Sequence, residues 1–516
     1  MGFDRRTFLQ GSAVMATLAA LGIRPDQVIA AEGGVLKLAS DGDIQVLDPG
    51  YMIGGTDTSI LFATMPRLAV PAIGDGGVWS WKPSEYVERL EQTDDTHIAF
   101  ALKSGLQWTD GAGELTADDV KFSFERMPAS DWGNRWPTLD HVEVTDKYSG
   151  VIVLKSPFVA IWLLALASES GTIVPKAAVE KLTDKKFTMP LPAQLGPYTM
   201  TEWVAKQRIV LKANKDWPGT KPAFAEIQFI NIEDSTAREL AYEAKEVEMA
   251  TIASQSAARF IKTPPAGAKI LSRPGLYYQY IGINQDHEKL KDIRVRKAIQ
   301  RAVDVQSILA AAYADLSPAS TGNVPANVLG HREKAGYSYD PEAAKALLRE
   351  AGVTDLSLEL RLLQSSTNEG VAQIVQANLA DVGIKVDIVP LDSGPYWNLG
   401  LESKGDEWKK LQLTIIAYRT APDPADALQW FTKNQVGVWN WERWSDPEFE
   451  DLWVKGLSER DMAKRGAIYA RMTEIMENTG CYVWITYPSL FYIHRDNLAP
   501  ALDPGGEMMV EDFHQA

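Results

Sequence analysis

At 516 residues, the chain is too long for a single hydrophobic core. Cores stop growing near ~250–300 residues, so a chain of this length is expected to divide into two or more lobes. Its only cysteine is Cys481, so no internal disulfide can link those lobes. After the N-terminal region, no segment stays apolar over the ~20 residues that a membrane-spanning helix needs. The sequence therefore predicts a large soluble protein whose lobes are held together by packing alone.

The N-terminal region has the pattern of an export signal. Arg5 and Arg6 precede an apolar stretch at residues 11–23, which is too short to span a membrane. A twin-arginine pair before such a stretch predicts export by the twin-arginine machinery, with cleavage near Ala30 or Ala31. The alternative is a buried helix that happens to begin with two arginines. We assign residues 1–31 to a twin-arginine signal peptide and expect the mature protein to work outside the cytoplasm.

Charge and the scarcity of metal ligands exclude several classes of function. A formal net charge of −16 argues against nucleic acid and anionic membranes as partners. The six histidines are far apart in sequence, and a single cysteine excludes Cys-rich metal sites and CxxC redox chemistry. The sequence also has no GxSxG elbow, Walker loop or Rossmann fingerprint. We therefore expect no cofactor and no metal site, and an exported enzyme is the less favoured alternative to a binding protein.

Strand and helix patterns alternate along the chain, which is typical of the α/β class. A strand over 356–363, a helix over 368–382 and a strand over 384–389 predict a βαβ unit. Alternating apolar residues at 198–203 and 208–213 predict a hairpin.

Helix starts can be placed by their capping residues. Thr116 with Asp119 three residues later resembles a capping box. Ser235 is predicted to cap a second helix, and Asp340 followed by Pro341 begins a third. These signals place helix boundaries without identifying a function.

Five stretches in this order resemble the family 5 solute-binding proteins of ABC importers, which include dipeptide-, oligopeptide-, glutathione- and nickel-binding proteins. They are 108–126 with Trp108-Thr109-Asp110-Gly111; 196–214 with Gly196-Pro197-Tyr198; 221–248 with Lys221-Pro222-Ala223-Phe224; 283–304 with Ile293-Arg294-Val295-Arg296; and 339–348 with the later Pro422-Asp423-Pro424. The resemblance spans nearly the whole chain after the signal.

The resemblance implies an α/β, two-lobed periplasmic binding protein fold with the ligand cleft between the lobes. Lobe I would comprise 32–275 plus 486–516, with an extra subdomain at about 72–175, and lobe II would comprise 276–485. The segments expected to cross between the lobes are 276–284 and 482–492.

The same resemblance implies a function. The protein would be the substrate-binding component of an ABC importer in the periplasm, a monomer that captures a peptide or amino-acid-derived solute. It would deliver this small-molecule solute to permease subunits in the inner membrane. An oligosaccharide, an opine-like compound or a metal chelate are the alternative cargoes.

The strand at residues 413–419 and the turn after it are the predicted binding segment, with Tyr418, Arg419 and Thr420 as candidate contacts. Peptide-binding relatives carry an aspartate for the peptide ammonium near the position of Thr420, and this chain does not. Asp423 or Asp426 could replace it, but Asp423 fits equally well as a cap of the next turn. Arg419 is either a partner for a carboxylate or phosphate, or an exposed strand residue.

Aromatic residues are dense just downstream of that strand. Trp439 and Trp441 would share one face of an extended segment and form a stacking platform, although either could belong to the core instead. From the other lobe, Tyr51 is the candidate for an opposing contact.

Overall fold

The structure, a computed structural model, describes residues 34–44, 46–51, 55–74, 77–188 and 192–516. The predicted export signal and its cleavage site lie outside the described residues. In the described ranges, no helix is both long and apolar enough to cross a membrane.

The strands of the described chain, numbered in order, are β1 Val35–Ser40, β2 Ala69–Ile73, β3 Trp79–Pro83, β4 Val87–Gln92, β5 His97–Leu102, β6 Leu139–Val144, β7 Ser149–Leu154, β8 Tyr198–Val204, β9 Arg208–Ala213, β10 Glu226–Asn231, β11 Met249–Thr251, β12 Ala268–Pro274, β13 Tyr277–Ile283, β14 Leu356–Leu363, β15 Ile384–Leu391, β16 Leu413–Arg419, β17 Tyr482–Thr486, β18 Ser489–Arg495, β19 Leu498–Ala499 and β20 His514–Gln515. The α-helices are Gly55–Thr64, Ala117–Glu125, Lys176–Val179, Ser235–Glu243, Ser254–Lys262, Ile293–Ala302, Val305–Tyr313, Pro341–Glu350, Ser366–Asp381, Ser393–Trp397, Pro424–Gln429, Pro447–Ser458 and Met462–Asn478.

The largest sheet in the described residues has seven strands, in the order β12-β18-β11-β1-β10-β9-β8. Strand β1 runs parallel to β10 and β11, whereas β8, β9 and β10 pair antiparallel. The predicted hairpin is confirmed as β8 and β9, and Lys206 in its turn has a left-handed φ of 58°. Ile227 and Phe229, two residues apart on β10, are fully buried, so this strand turns one side to the core.

A second sheet has five strands, in the order β15-β14-β16-β13-β17. The predicted βαβ unit is confirmed: β14 and β15 are parallel, and the helix Ser366–Asp381 connects them. Ile281 and Ile283 of β13 join an aliphatic core with the helices on one face. Tyr278 and Tyr280 belong to the aromatic cluster on the other face, because successive side chains of a strand point to opposite faces of the sheet.

A four-stranded antiparallel sheet, β4-β5-β7-β6, packs with the helix Ala117–Glu125. The capping prediction at Thr116 is confirmed, since its backbone N–H donates to the Asp119 carboxylate at 2.9 Å. The helix Ser235–Glu243 differs from the prediction: Asp234, not Ser235, is its cap and accepts from the backbone N–H of Ala237 at 2.8 Å. Aspartate one residue earlier provides the acceptor in the extended conformation that a cap requires.

The chain passes between the two large sheets twice, and the two passages touch. Strand β12 continues into β13 through Gly275, and β17 continues into β18 through Pro488. The backbone N–H of Gly275 donates to the carbonyl of Pro488 at 3.1 Å. A Cβ on Gly275 would lie 2.5 Å from that carbonyl oxygen, so only glycine allows this close approach. The segment 482–492 is therefore two strands in different sheets, where the sequence suggested one crossing strand.

Candidate functional site

A cavity of about 270 Å³ lies between elements that belong to the two large sheets. Thr58 and Phe62 of the helix Gly55–Thr64 line it on the side of the seven-stranded sheet. On the opposite side it is lined by Tyr277 of β13 and by Arg419 of β16. The charged residues of its lining are Arg135, Glu169, Arg419, Asp426, Asp503 and Glu507.

The end of β16 positions the first of the predicted contacts. Arg419 is opposite Tyr277 in the antiparallel pairing of β16 with β13. One residue later, the backbone N–H of Thr420 donates to the carbonyl of Leu276 at 2.7 Å. Arg419 and Thr420 therefore line the cavity from a fixed strand end, and their role as ligand contacts stays a prediction.

Asp426 also lines the cavity, from the first turn of the helix Pro424–Gln429. Its Oδ2 accepts from the backbone N–H of Ala421 and its Oδ1 accepts from Nε2 of Gln429, both at 2.7 Å. Burial raises the pKa of Asp426, and the charge of Arg135 opposes that rise. The carboxyl is thus buried and hydrogen-bonded, and it interacts electrostatically with Arg135 from the other side of the cavity.

Arg135 faces Asp426 from the side of the four-stranded sheet. Its guanidinium carbon lies 4.0 Å from the centre of the Trp132 ring, and its Nη1 lies 3.1 Å from Oε1 of Glu169. Although the residue is only 7% exposed, its Nε donates no hydrogen bond within the described residues, and its Nη1 has only Glu169 as a partner. Buried guanidinium N–H groups without acceptors are costly, so they are ready to receive a ligand oxygen.

Glu169 remains ionised despite its burial. Burial alone would raise the pKa of Glu169, but Arg135 and Arg419 together outweigh burial and lower it. By contrast, burial, with a smaller effect of Glu507, raises the pKa of Asp503 to about 7. At neutral pH the carboxyl groups of Glu169 and Asp503 are therefore unequally ionised.

Two polar contacts join the opposite sides of the cavity. Arg419 Nη2 lies 2.5 Å from Oε1 of Glu507, and the attraction of Glu507 raises the pKa of Arg419. Asn134 Nδ2 donates to Oε1 of Gln429 at 3.1 Å. Both contacts form only when the two sides are close, so they stabilise the closed arrangement.

Apolar and aromatic residues make up most of the rest of the lining. Trp79 and Trp132 contribute from one side, and Trp430 contributes from the helix end on the other. Flat aromatic side chains next to charged groups suit an organic solute that has both a hydrocarbon part and charged ends.

Three predicted aromatic contacts lie in a packed cluster and do not line this cavity. The hydroxyl of Tyr418 donates to the carbonyl of Trp439 at 3.3 Å, and Trp397 packs against both rings. Trp441 is 2% exposed, with its Nε1 donating to the carbonyl of Val438 at 3.0 Å. Trp439 and Trp441 lie in turns, so the extended segment that would form a stacking platform is not present.

Asp423 and Tyr51 are also placed away from the lining. Both carboxylate oxygens of Asp423 accept from the Arg465 guanidinium at 2.8 Å, and Oδ1 also accepts from the backbone N–H of Ala425. Asp423 thus caps the helix Pro424–Gln429, which is the second of the two roles that the sequence allowed, and it does not line the cavity as the first role would require. The Tyr51 ring lies 3.5 Å from the ammonium of Lys186 and not opposite Arg419.

Several charged lining residues have no signal in the sequence. Arg135 and Glu169 lie in short 3-10 helices, Gly133–Arg135 and Glu169–Gly171, and Asp503 and Glu507 lie in irregular segments without a motif. Only the folding of distant segments brings them to one cavity. No group of three or more His, Cys, Asp or Glu side chains suited to a metal ion occurs in the part of the chain that the structure describes.

Comparisons with known proteins agree with this architecture. The family model described as bacterial extracellular solute-binding proteins, family 5, middle, matches residues 81–440. The di/tripeptide-binding protein 2 of Pseudomonas aeruginosa (strain UCBPP-PA14) is 26% identical over 533 aligned positions, covering 95% of this chain and 96% of that protein.

Two solved structures share the fold at low identity. The ABC transporter substrate-binding protein CtaP of Listeria monocytogenes superposes with a TM-score of 0.81 at 22% identity, covering 94% of this chain and 99% of that one. The oligopeptide-binding protein AppA of Bacillus subtilis, solved with a nonapeptide, gives a TM-score of 0.77 at 22% identity, with coverages of 94% and 99%.

Proposed function

Because this chain belongs to family 5 of the bacterial extracellular solute-binding proteins, we propose that its cargo is a short peptide or another amino-acid-derived solute with a free carboxylate. The chain is the solute-binding component of an ABC importer and not an enzyme. The relative that is named a di/tripeptide-binding protein, which matches over nearly the whole chain, supports the choice of peptides.

The observation that carries the proposal is Arg135. Its guanidinium is buried in the wall of the cavity, where Nη1 pairs with Glu169 and the N–H group on Nε has no acceptor within the described residues. A planar guanidinium is the side chain that best matches a carboxylate. On the opposite wall, the carboxyl of Asp426 provides an acceptor for the ammonium end of a zwitterion. Arg419 and Thr420 would complete the contacts from that wall.

The size of the cavity supports a small cargo. Its volume of about 270 Å³ is just below the ~300–1,000 Å³ that is typical of pockets for drug-sized ligands. A dipeptide or a small tripeptide is closer to this size than a long oligopeptide. The aromatic lining then receives the hydrocarbon part of the side chains.

Capture follows from contacts that exist only when the lobes are closed. A ligand can favour the closed state only through interactions that are better there than in the open state. A zwitterion between Arg135 and Asp426 would contact both sides of the cavity and meet this requirement. The closed form would then be presented to permease subunits in the inner membrane.

We further propose the lobe division and the location. Lobe I would comprise 32–275 plus 486–516 and lobe II 276–485, which agrees with the sheet membership of β12, β13, β17 and β18. The twin-arginine machinery would export the folded chain to the periplasm, with cleavage near Ala30 or Ala31, and the mature protein would act as a monomer.

An opine-like amino-acid conjugate is the second candidate cargo. The observation in its favour is that both Arg135 and Arg419 line the cavity, while position 420 is a threonine. A cavity with two arginines suits a solute that carries more than one carboxylate.

Titration calorimetry of the mature protein tests both candidates. The titrants are alanyl-leucine, alanyl-alanyl-alanine, an opine with two carboxylates and the disaccharide cellobiose. We expect heat and thermal stabilisation with a peptide or the opine, and a loss of most of the affinity in Arg135→Met. The control is Arg471→Met, which removes an exposed arginine that pairs with Glu448 and does not line the cavity. Binding of cellobiose alone would overturn the proposal.

A further inference from the structure

A second and larger cavity, of about 670 Å³, adjoins the first one. Phe62, Pro71 and Asp503 line both cavities, so these three side chains form the wall between them. Much of the rest of its lining comes from the hairpin β2–β3 and from the C-terminal segment, and further residues, among them Glu85, Lys103 and Trp217, complete it. A solute that reaches past this wall would enter the second cavity without touching β16.

Arg67 is the buried cation of the second cavity. The residue is 3% exposed, and its guanidinium carbon lies 3.5 Å from the centre of the Phe62 ring. Its Nη2 lies 3.3 Å from Oε1 of Glu511. Its Nε and Nη1 donate no hydrogen bond within the described residues, and Oε2 of Glu511 likewise accepts none. Two donors of one buried guanidinium are thus available beside the wall between the cavities.

Glu511 does not fully neutralise Arg67. Burial raises the pKa of Glu511 to about 7, so the carboxyl carries only part of a negative charge at neutral pH. Burial also lowers the pKa of Arg67, an effect that the charge of Glu511 partly offsets. The charge of Asp512 also acts on Arg67, and a ligand carboxylate would add the acceptors that Nε and Nη1 lack.

We infer that the second cavity is a subsite for a second carboxylate of the cargo, with Arg67 as its partner. This inference rests on the proposed function, and it narrows the cargo to a solute long enough to pass Phe62. One carboxylate would bind Arg135 in the first cavity and the other would bind Arg67. A tripeptide that contains an acidic residue has this chemistry, whereas a neutral dipeptide fills the first cavity alone.

Three peptides distinguish the effect of peptide length on affinity from the effect of the added carboxylate. Alanyl-alanine tests the first cavity, and alanyl-alanyl-glutamate and alanyl-alanyl-glutamine test the second with and without the added carboxylate. In titration calorimetry we expect the glutamate tripeptide to bind the wild-type protein at least about tenfold more tightly than the glutamine tripeptide, because a charge-assisted bond to a buried guanidinium is strong. Arg67→Met should bring that ratio close to one.

A second variant tests the cavity without removing the arginine. Ala72 lines only the second cavity, and Ala72→Trp would fill part of it. We expect this variant to weaken both tripeptides relative to alanyl-alanine, whereas Arg471→Met should keep the wild-type ratios. Urea denaturation of each variant confirms that the protein compared is folded.

The outcomes distinguish this inference from the proposed function. If alanyl-alanine binds but the wild-type protein does not prefer glutamate to glutamine, the subsite is overturned and the peptide cargo stands. An equal loss of all three peptides in Arg67→Met would also overturn the subsite, because Arg67 would then act only by supporting the fold. If none of the peptides binds the wild-type protein, both the peptide cargo and the subsite are overturned.

Discussion

Removal of the Asp423 carboxylate should destabilise the fold and not primarily weaken cargo binding. Asp423 and Arg465 form a pair whose side chains are only 3% and 2% exposed. The guanidinium donates to both carboxylate oxygens at 2.8 Å, and its Nε donates to the carbonyl of Gly456 at 2.9 Å. In Asp423→Ala, the Arg465 charge would stay buried without its partner.

The size of this destabilisation follows from the loss of two interactions, the ion pair and the helix cap. Removing one partner of a buried ion pair costs about 3–5 kcal/mol, because the other charge is left uncompensated. Asp423 also caps the helix Pro424–Gln429 through the backbone N–H of Ala425, and loss of such a cap costs about 1 kcal/mol. We therefore expect Asp423→Ala to lower the free energy of unfolding by about 4–6 kcal/mol, a large part of the ~5–15 kcal/mol of a typical protein.

Urea denaturation followed by tryptophan fluorescence measures this loss. The matched control is the double variant Asp423→Leu with Arg465→Met, which removes both charges and should recover much of the stability. Titration of alanyl-leucine into Asp423→Asn, provided that variant is folded, should give an affinity close to that of the wild type. Wild-type stability of Asp423→Ala together with lost binding would refute the structural role of Asp423.

Three further predictions concern other parts of the chain. Glu442 is 1% exposed, and burial raises its pKa from the ordinary 4.5 to about 8. Its contribution to the free energy of unfolding should be complete below pH 4.5 and lost as pH rises through 8, with a loss of at most about 5 kcal/mol. Glu442→Gln should remove this pH dependence of urea unfolding. Trp430→Phe should reduce the change in fluorescence on saturation with alanyl-leucine, whereas Trp441→Phe should keep that change and lose stability, since Trp430 lines the cavity and Trp441 is buried outside it. Replacing Arg5 and Arg6 by lysine should keep the precursor in the cytoplasm in a fractionation assay, and wild-type export of that variant would contradict the twin-arginine assignment.

Sequence signals that depend on neighbouring residues predicted the local structure well. The cap at Thr116 and the hairpin of β8 and β9 are set by residues only a few positions apart. The cap at Asp234 was missed because Ser235, the adjacent residue, is an equally good capping type in the sequence.

The candidate site could be predicted only where it coincides with a strand end. Arg419 ends β16 and Thr420 follows it directly, so their position beside a cleft could be predicted from the pattern of the strand. Arg135 and Glu169 lie in short 3-10 helices with no motif, and only the tertiary fold brings them to the same cavity as Arg419. The prediction for Trp439 and Trp441 assumed an extended segment, and the turns that the chain forms there direct both rings into a packed cluster.

Native mass spectrometry of the mature protein, exported by its own signal and purified without denaturation, tests the central claim most directly. We expect one bound solute per chain, which on release fragments as a short peptide or an amino-acid conjugate with at least one free carboxylate. The same preparation of Arg135→Met should carry much less of it. A bound sugar without a carboxylate, or equal loading of wild type and Arg135→Met, would contradict the claim that Arg135 selects the cargo.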